Sequence, residues 1–241
     1  MDWRQFKDYL HSLTPEKHIW RGQQKNNWHL QSSFHRSGRA DLVQYAVTDL
    51  ALLQPHITAL TKSKYNLNHI DDQIEFISLL QHHGYPTPFL DWTLSPYIAA
   101  FFAFQNVKKD NKDDKEQKYA RIFSLDYDEW SSVIQDPFTL ACGSPQFTIL
   151  NAFSMHNPRQ IPQQAILTFT NVANIETFFQ VKQAEVDKQF LKAIDIPWTE
   201  RDIIMRELRL MGVTAASLFP GLDGTCAAFR EQRFPKQTTT D

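Results

Sequence analysis

The sequence predicts an α+β protein with a single domain over residues 1–234 and a tail, 235–241, without fixed structure. Three observations predict it. Short apolar stretches of strand character alternate with helices that carry their own start and stop signals. With 42% apolar residues in 241, the chain has enough material for one sizeable core. No internal repeat and no linker-like stretch divides it.

The elements follow in order. Residues 2–13 form an amphipathic helix, with Trp3, Phe6, Leu10 and Leu13 on one face. His18 to Gln23 is extended. Asp41 caps a long helix running to about Lys64. Asp71 or Asp72 starts the next helix, with Ile74, Ile77 and Leu80 on its apolar face. Gly84 ends that helix, and Pro86 and Pro88 prevent its resumption.

Phe89 to Thr93 reads as a strand. Ser95-Pro96 then opens a helix, a hydroxyl cap followed by proline at the first helical position. Ala99, Ala100 and Ala103 give that helix a small-residue face for close packing. Residues 107–118, VKKDNKDDKEQK, form a charged, solvated loop. Tyr119–Asp126 and Ala165–Thr170 are further strands. Thr199 and Asp202 cap a helix through Met211, with Ile204, Leu208 and Met211 facing the core, and Gly212 stops it. Residues 213–219 read as short, apolar and β-rich, and Asp223 caps a last helix.

Composition narrows the function classes. Charged residues make up 22% and the formal net charge is −2, so no global field marks a nucleic-acid or membrane binder. A local basic patch is compatible with that balance. No apolar run reaches the roughly 20 residues that span a bilayer, and the N-terminus lacks a signal-peptide core, which points to a cytoplasmic chain with no membrane partner. Cys142 and Cys226 are no disulfide framework and read as small buried side chains. Glycine is scarce, at 7, and neither G-x-G-x-x-G nor G-x-x-x-x-G-K occurs.

Three constellations carry chemistry. In Trp20-Arg21-Gly22-Gln23, an arginine at a strand end can hold a phosphate or carboxylate with paired hydrogen bonds, and Gly22 lets a ligand approach the backbone. The bland alternative is a surface arginine beside a bulge. In Gln81-His82-His83-Gly84, adjacent histidines point to different helix faces and make no chelate, so no metal is expected. His82 is left as a proton donor or hydrogen-bonding group. In Leu90-Asp91-Trp92-Thr93-Leu94-Ser95-Pro96, polar Asp91, Thr93 and Ser95 alternate with apolar neighbours and converge on a helix N-terminus, where an anion is favoured. Ser95 is equally a plain helix cap.

These pieces together resemble the FRG domain family. The resemblance rests on Trp20-Arg21-Gly22-Gln23, on Trp28, Leu30 and Arg36, and on Gln81 through Thr87 running into Leu90 through Pro96. It continues in Ala99, Ala100, Phe102 and Ala103, in Asn157-Pro158-Arg159 with Gln163-Gln164, and in Leu218 through Gly224. Pro88 departs from it: the family often carries arginine there, and any contact of that arginine is lost.

The order of motifs also resembles an ADP-ribosyltransferase of the arginine–serine–glutamate type. Arg21-Gly22 matches its first element and Thr93-Leu94-Ser95, ahead of the alanine- and phenylalanine-rich helix, its second. The third falls at Gln163-Gln164, which is glutamine where that pattern has glutamate. Such a resemblance implies a mixed or antiparallel split sheet flanked by helices. It implies NAD as substrate and transfer of ADP-ribose to a macromolecular acceptor, be it RNA, DNA or protein. A bacterial toxin or antiviral effector, with an antitoxin partner, belongs to the same expectation.

In that reading Arg21, Gln164, His82 and Asp91 are the catalytic set. Arg21, Gly22, Gln23, Thr93 and Ser95 bind the cofactor-like substrate. Glutamine orients groups but carries no charge to stabilise an oxocarbenium-like sugar, so Asp91 or Glu207 becomes a candidate for the missing carboxylate. The alternative is a nucleotide- or nucleic-acid-binding module without catalysis. A metal-dependent hydrolase on His82, His83 and Asp91 is disfavoured by their spacing.

Overall fold

The structure, a computed structural model, describes residues 1–14, 16–107, 118–134, 136–141, 143–150 and 159–234. The charged loop centre at 108–117, the tail 235–241, Cys142 and Asn157-Pro158 lie outside the described residues. The chain runs through α1 (Trp3–His11), β1 (His18–Gln23), α2 (Ser33–Arg36), α3 (Leu42–Gln44), a π-helical turn (Tyr45–Leu50), α4 (Ala51–Thr61) and α5 (Ile70–His82). Then come β2 (Phe89–Thr93), α6 (Pro96–Phe104), β3 (Tyr119–Asp126), α7 (Tyr127–Val133), β4 (Phe147–Leu150) and β5 (Ala165–Thr170). The order closes with α8 (Ile175–Val186), β6 (Leu191–Pro197), α9 (Arg201–Leu210), α10 (Ala215–Leu218) and α11 (Leu222–Arg233).

Among the described residues the strands form one six-stranded sheet in the order β4-β5-β2-β1-β3-β6. Every pairing is antiparallel, so the sheet is not mixed. β1 pairs with β3 along its whole length, from His18 opposite Asp126 to Gln23 opposite Arg121. β2 pairs with β5 along its whole length too. Between β1 and β2 the register is a single pair, Trp20 opposite Thr93. Two well-knit halves therefore meet at one point in the middle of the sheet.

Strand alternation sends side chains to two faces. Trp20, Ala120, Ile122, Ile194 and Ile196 pack under α1, α6, α9 and α10. Ile19, Trp92, Phe123 and Leu125 pack on the opposite face against Trp130 of α7 and Phe178 and Phe179 of α8. A third cluster joins Phe89, Leu167 and Phe169 to α2 through α5.

The helix starts obey local capping. Asp2, Asp41, Ser95, Asp126 and Asn174 each accept a backbone N–H of the first turn they precede. The helix from Asp41 passes through its π turn before ending at Lys62, which is left-handed.

Several sequence expectations are corrected. α5 begins at Ile70, one turn position ahead of Asp71 and Asp72, which instead place two carboxylates in its first turn. A short 3₁₀ turn, Trp198–Glu200, leads into α9, so Thr199 caps nothing. Met211 is exposed, because Ile204 and Leu208 complete the apolar stripe. Residues 215–218 form a helical turn, since Thr214 and Ser217 make a capping box. Gly221, not Asp223, precedes α11. Cys226 is exposed, on the side of α11 away from buried Gly224 and Ala228.

α6 lies very close against β1. A Cβ placed on Gly22 would lie 1.9 Å from the Ala99 carbonyl oxygen and 2.7 Å from the Ala103 nitrogen. Those are backbone atoms that cannot swing aside. Gly22→Ala is expected to destabilise the protein by about 3 kcal/mol or more. Gly143→Ala, whose Cβ meets nothing within 4 Å, is expected to be close to neutral. Denaturant melts of the two variants check this, and equal midpoints would contradict the packing argument.

Candidate functional site

β1 alternates cleanly, so Trp20 and Gly22 face α6 while Ile19, Arg21 and Gln23 face the other way. Gly22 thus serves helix packing against α6, and it also lines a cavity beside β1. Beyond the Trp20–Thr93 pair the two strands part, and Arg21 reaches across the gap. Its Nη1 donates to the backbone oxygen of Asp91.

A cavity of about 740 Å³ opens at this parting. Arg21, Gln23, Asp91 and Thr93 line it from the strands. Trp28 and Arg36 line it from the segment after β1, and Phe102 and Asn106 from α6 and its end. A second pocket of about 210 Å³ shares Arg21, Arg36 and Asp91 with it and extends to Gln81 and Tyr85. The wall is therefore two guanidinium groups, one carboxylate, several amides and aromatic rings. Trp28 is 47% exposed, a large ring left open to solvent beside the cavity.

Arg21 is the electrostatic centre. Burial pulls its pKa below the usual arginine value, nearby Asp91 raises it, and Arg36 lowers it again. The group stays cationic, because arginine starts so high. Its Nε is buried with no hydrogen-bond partner among the described residues, and so is Oε1 of Gln23. A donor and an acceptor on the same strand face are thus unsatisfied inside the cavity wall, an arrangement that costs stability unless a ligand or water completes it.

Asp91 is exposed and held from the α5 side. Gln81 Nε2 donates to its Oδ1 at 2.7 Å, and the Thr87 hydroxyl donates to Gln81 Oε1. This chain fixes the amide orientation of Gln81 and aims it at the carboxylate.

The hydroxyls of the second motif have structural duties. Thr93 Oγ1 donates to the Gln163 backbone oxygen at 2.7 Å and accepts the Ser95 N–H at 3.1 Å. Ser95 Oγ accepts the Ile98 N–H as the cap of α6, and Ser95 is outside the cavity wall.

Gln164 does not join Arg21. It is exposed, its backbone is left-handed at φ 47°, and its carbonyl accepts the Leu94 N–H at 3.0 Å. Its neighbour Gln163 lines the cavity and donates from Nε2 to the Leu218 carbonyl at 3.0 Å. The left-handed turn at Gln164 decides which of the paired glutamines faces inward, a feature the doubled residue hides in sequence. Asn106 also joins the wall unforeseen, at the end of α6 with no motif around it. Glu207 is elsewhere: it accepts from Trp3 Nε1 at 2.8 Å and Lys7 Nζ at 2.6 Å and ties α9 to α1.

His82 lies at the end of α5, its ring 5.2 Å from that of His83. Burial is the main force lowering its pKa, with Arg159 and His83 adding to it and Asp91 opposing. At neutral pH it is therefore an uncharged acceptor or donor, not a cation. Among the described residues no three His, Cys, Asp or Glu side chains group closely enough to hold a metal.

Because the folded pKa lies below the ordinary value, the stability that His82 contributes is complete above about pH 6.5 and is lost as pH falls through the folded value. Its ring protons are expected to titrate below that of a free histidine. The titration should move lower still in Asp91→Asn and higher in Arg159→Gln, each measured by NMR on the His82 Cε1 proton. An unchanged midpoint in both variants would separate His82 from the site.

Among the described residues no helix is long and apolar enough to cross a membrane. Neither the curated proteins nor the solved structures contain a match to the chain. A protein-family model does match, over the stretch that carries β1 through α6, and with it Arg21, Asp91, Thr93 and the α6 packing face. Residues 16–112 match the model of the FRG domain.

Proposed function

We propose that the cavity at the parting of β1 and β2 binds NAD and that the protein transfers its ADP-ribose to a macromolecular acceptor. The observation that carries this reading is the Arg21 guanidinium, buried at the junction of the two half-sheets with an unpartnered Nε, in a cavity walled besides by Arg36, Asp91, aromatic rings and amides. A buried cation with a free donor suits a pyrophosphate, and Arg36 supplies a second positive charge beside it. Trp28 and Phe102 offer faces for an adenine or nicotinamide ring. A volume of about 740 Å³ is within the range that encloses ligands of this size.

Chemistry falls to Asp91. Departure of nicotinamide leaves positive charge on the ribose, and a fixed carboxylate stabilises that charge. Asp91 is the carboxylate of the cavity wall, and Gln81 holds it in place. Gln164 takes no part, and the role first expected of it passes to no other glutamine, since an amide has no charge to give.

A second reading, a nucleotide-binding module without catalysis, is favoured by that same glutamine pair. It differs in one measurable respect: NAD or a related nucleotide binds and nicotinamide is never released.

Calorimetric titration with NAD and chromatographic assay of nicotinamide separate the two. The transferase reading expects Arg21→Ala and Arg21→Lys to lose about 10²–10³-fold in nicotinamide release, because the planar fork has no substitute in lysine. It expects Asp91→Asn to bind NAD within a few-fold of the parent while release falls by a similar factor. Gln164→Ala should behave as the parent. A folded Arg21→Ala protein with full release would remove Arg21 from the site, and NAD binding by the parent without any release would establish the binding module.

A further inference from the structure

A second large cavity, of about 590 Å³, lies across α6 from the first, and Asn106 lines both. It is built from one face of α9, where Asp202, Met205, Arg206 and Arg209 follow at i, i+3, i+4 and i+7, and from α11, which contributes Arg230 and Glu231. Its cations are all arginine: Arg201, Arg206, Arg209 and Arg230 line it, and no lysine does.

The charges divide into a structural and an available set. Arg201, with a side chain only 9% exposed, pairs with Asp202 at 3.4 Å and with Glu231. Those are the acids of the wall, and both are engaged. Arg206, Arg209 and Arg230 are exposed and form no ion pair among the described residues. Nε of Arg201 is buried without a partner. Phe234, 74% exposed, also lines the cavity, as does Phe101 from α6.

We propose that this cavity docks single-stranded nucleic acid, with phosphates on Arg206, Arg209 and Arg230 and a base stacked on Phe234. Guanidinium forks fit phosphate oxygens with paired bonds, and exposed aromatic rings among cations are how sequence-tolerant single-strand sites hold bases. An acidic peptide would be served by the arginines alone and leaves the exposed ring unexplained. The patch is local: with a net charge of −2 the protein has no long-range field to gather polynucleotides, so the contacts themselves must hold the strand. The two cavities share Asn106 and are both lined by α6, but naming this strand the ADP-ribose acceptor rests on the transferase reading; the docking itself does not.

The test is fluorescence anisotropy of labelled single-stranded RNA and DNA of about ten nucleotides, over a salt series. The parent should bind one or both. Arg206→Gln/Arg209→Gln/Arg230→Gln should weaken binding about tenfold or more, and the slope of log affinity against log salt should flatten by about 2, near 0.7 for each lost phosphate contact. Phe234→Ala should weaken binding several-fold with the slope unchanged, and it carries the test if the triple variant melts early. NAD titration should give the parent's affinity in both variants. Absence of oligonucleotide binding, equal binding by both variants, or competition by polyglutamate as strong as by unlabelled strand would overturn the proposal. Strand binding that survives while labelled NAD marks no strand would support the docking and remove the acceptor role, which locates the failure in the transferase reading.

Discussion

The architecture around the candidate site depends on the approach of α6 to β1 at Gly22. A hydrogen at that position lets the Ala99 carbonyl and the Ala103 amide lie where any other residue would place a carbon. Once α6 is seated there, its cap residue Ser95 and the end of β2 are fixed too, because Ser95 hydrogen-bonds to Thr93 and Thr93 to Gln163. Thr93 meets Trp20 in the single pair that joins the half-sheets. From that pin the strands diverge, and the gap they leave is the cavity.

A gap in a sheet exposes backbone groups that would normally pair, and this fold fills part of the gap with a cation. Arg21 donates to the Asp91 carbonyl, taking the place of a missing ladder bond. The arrangement is electrostatically uneven. Burial and Arg36 both disfavour the charge on Arg21, while the carboxylate of Asp91 is directed toward Gln81. An anion entering between Arg21 and Arg36 would relieve that imbalance, which is why the geometry reads as a binding site and not as a structural salt bridge.

Much of this was legible in the sequence, and the parts that were not have physical reasons. β1, β2, β3 and β5 have clear apolar alternation or runs, and α1 and α6 announce themselves by cap and proline. The short strand Phe147–Leu150 gives too few residues for a period, and it exists because β5 offers an edge. Leu191–Pro197 mixes apolar and polar positions without a strict alternation, and it and the helix capped by Asn174 are fixed by their packing in the fold. Residues 213–219 misled by their β-branched and apolar content, where a local capping box prevails over propensity. Arg21, Gln23, Asp91 and Thr93, which motif order singles out, line one cavity. Gly22 lines the cavity too, but its close contact with α6 was not legible, since no sequence states which neighbour needs the space. Gln164 was chosen over Gln163 because a doubled residue conceals the left-handed turn that separates them. The arginines of α9 and α11 left no trace in the net charge, because a patch is a matter of place and not of sum.

The central claim is that Arg21 meets a nucleotide at the junction of the half-sheets. It is tested most directly by NMR of the Arg21 Nε–Hε group and the Trp28 indole N–H during titration with NAD. The account predicts saturable shifts of both signals at one common affinity, with the Arg21 signal moving in the direction of a new hydrogen bond. Saturable binding that leaves both signals in place, or that moves only the arginine signals of α9 and α11, would contradict it.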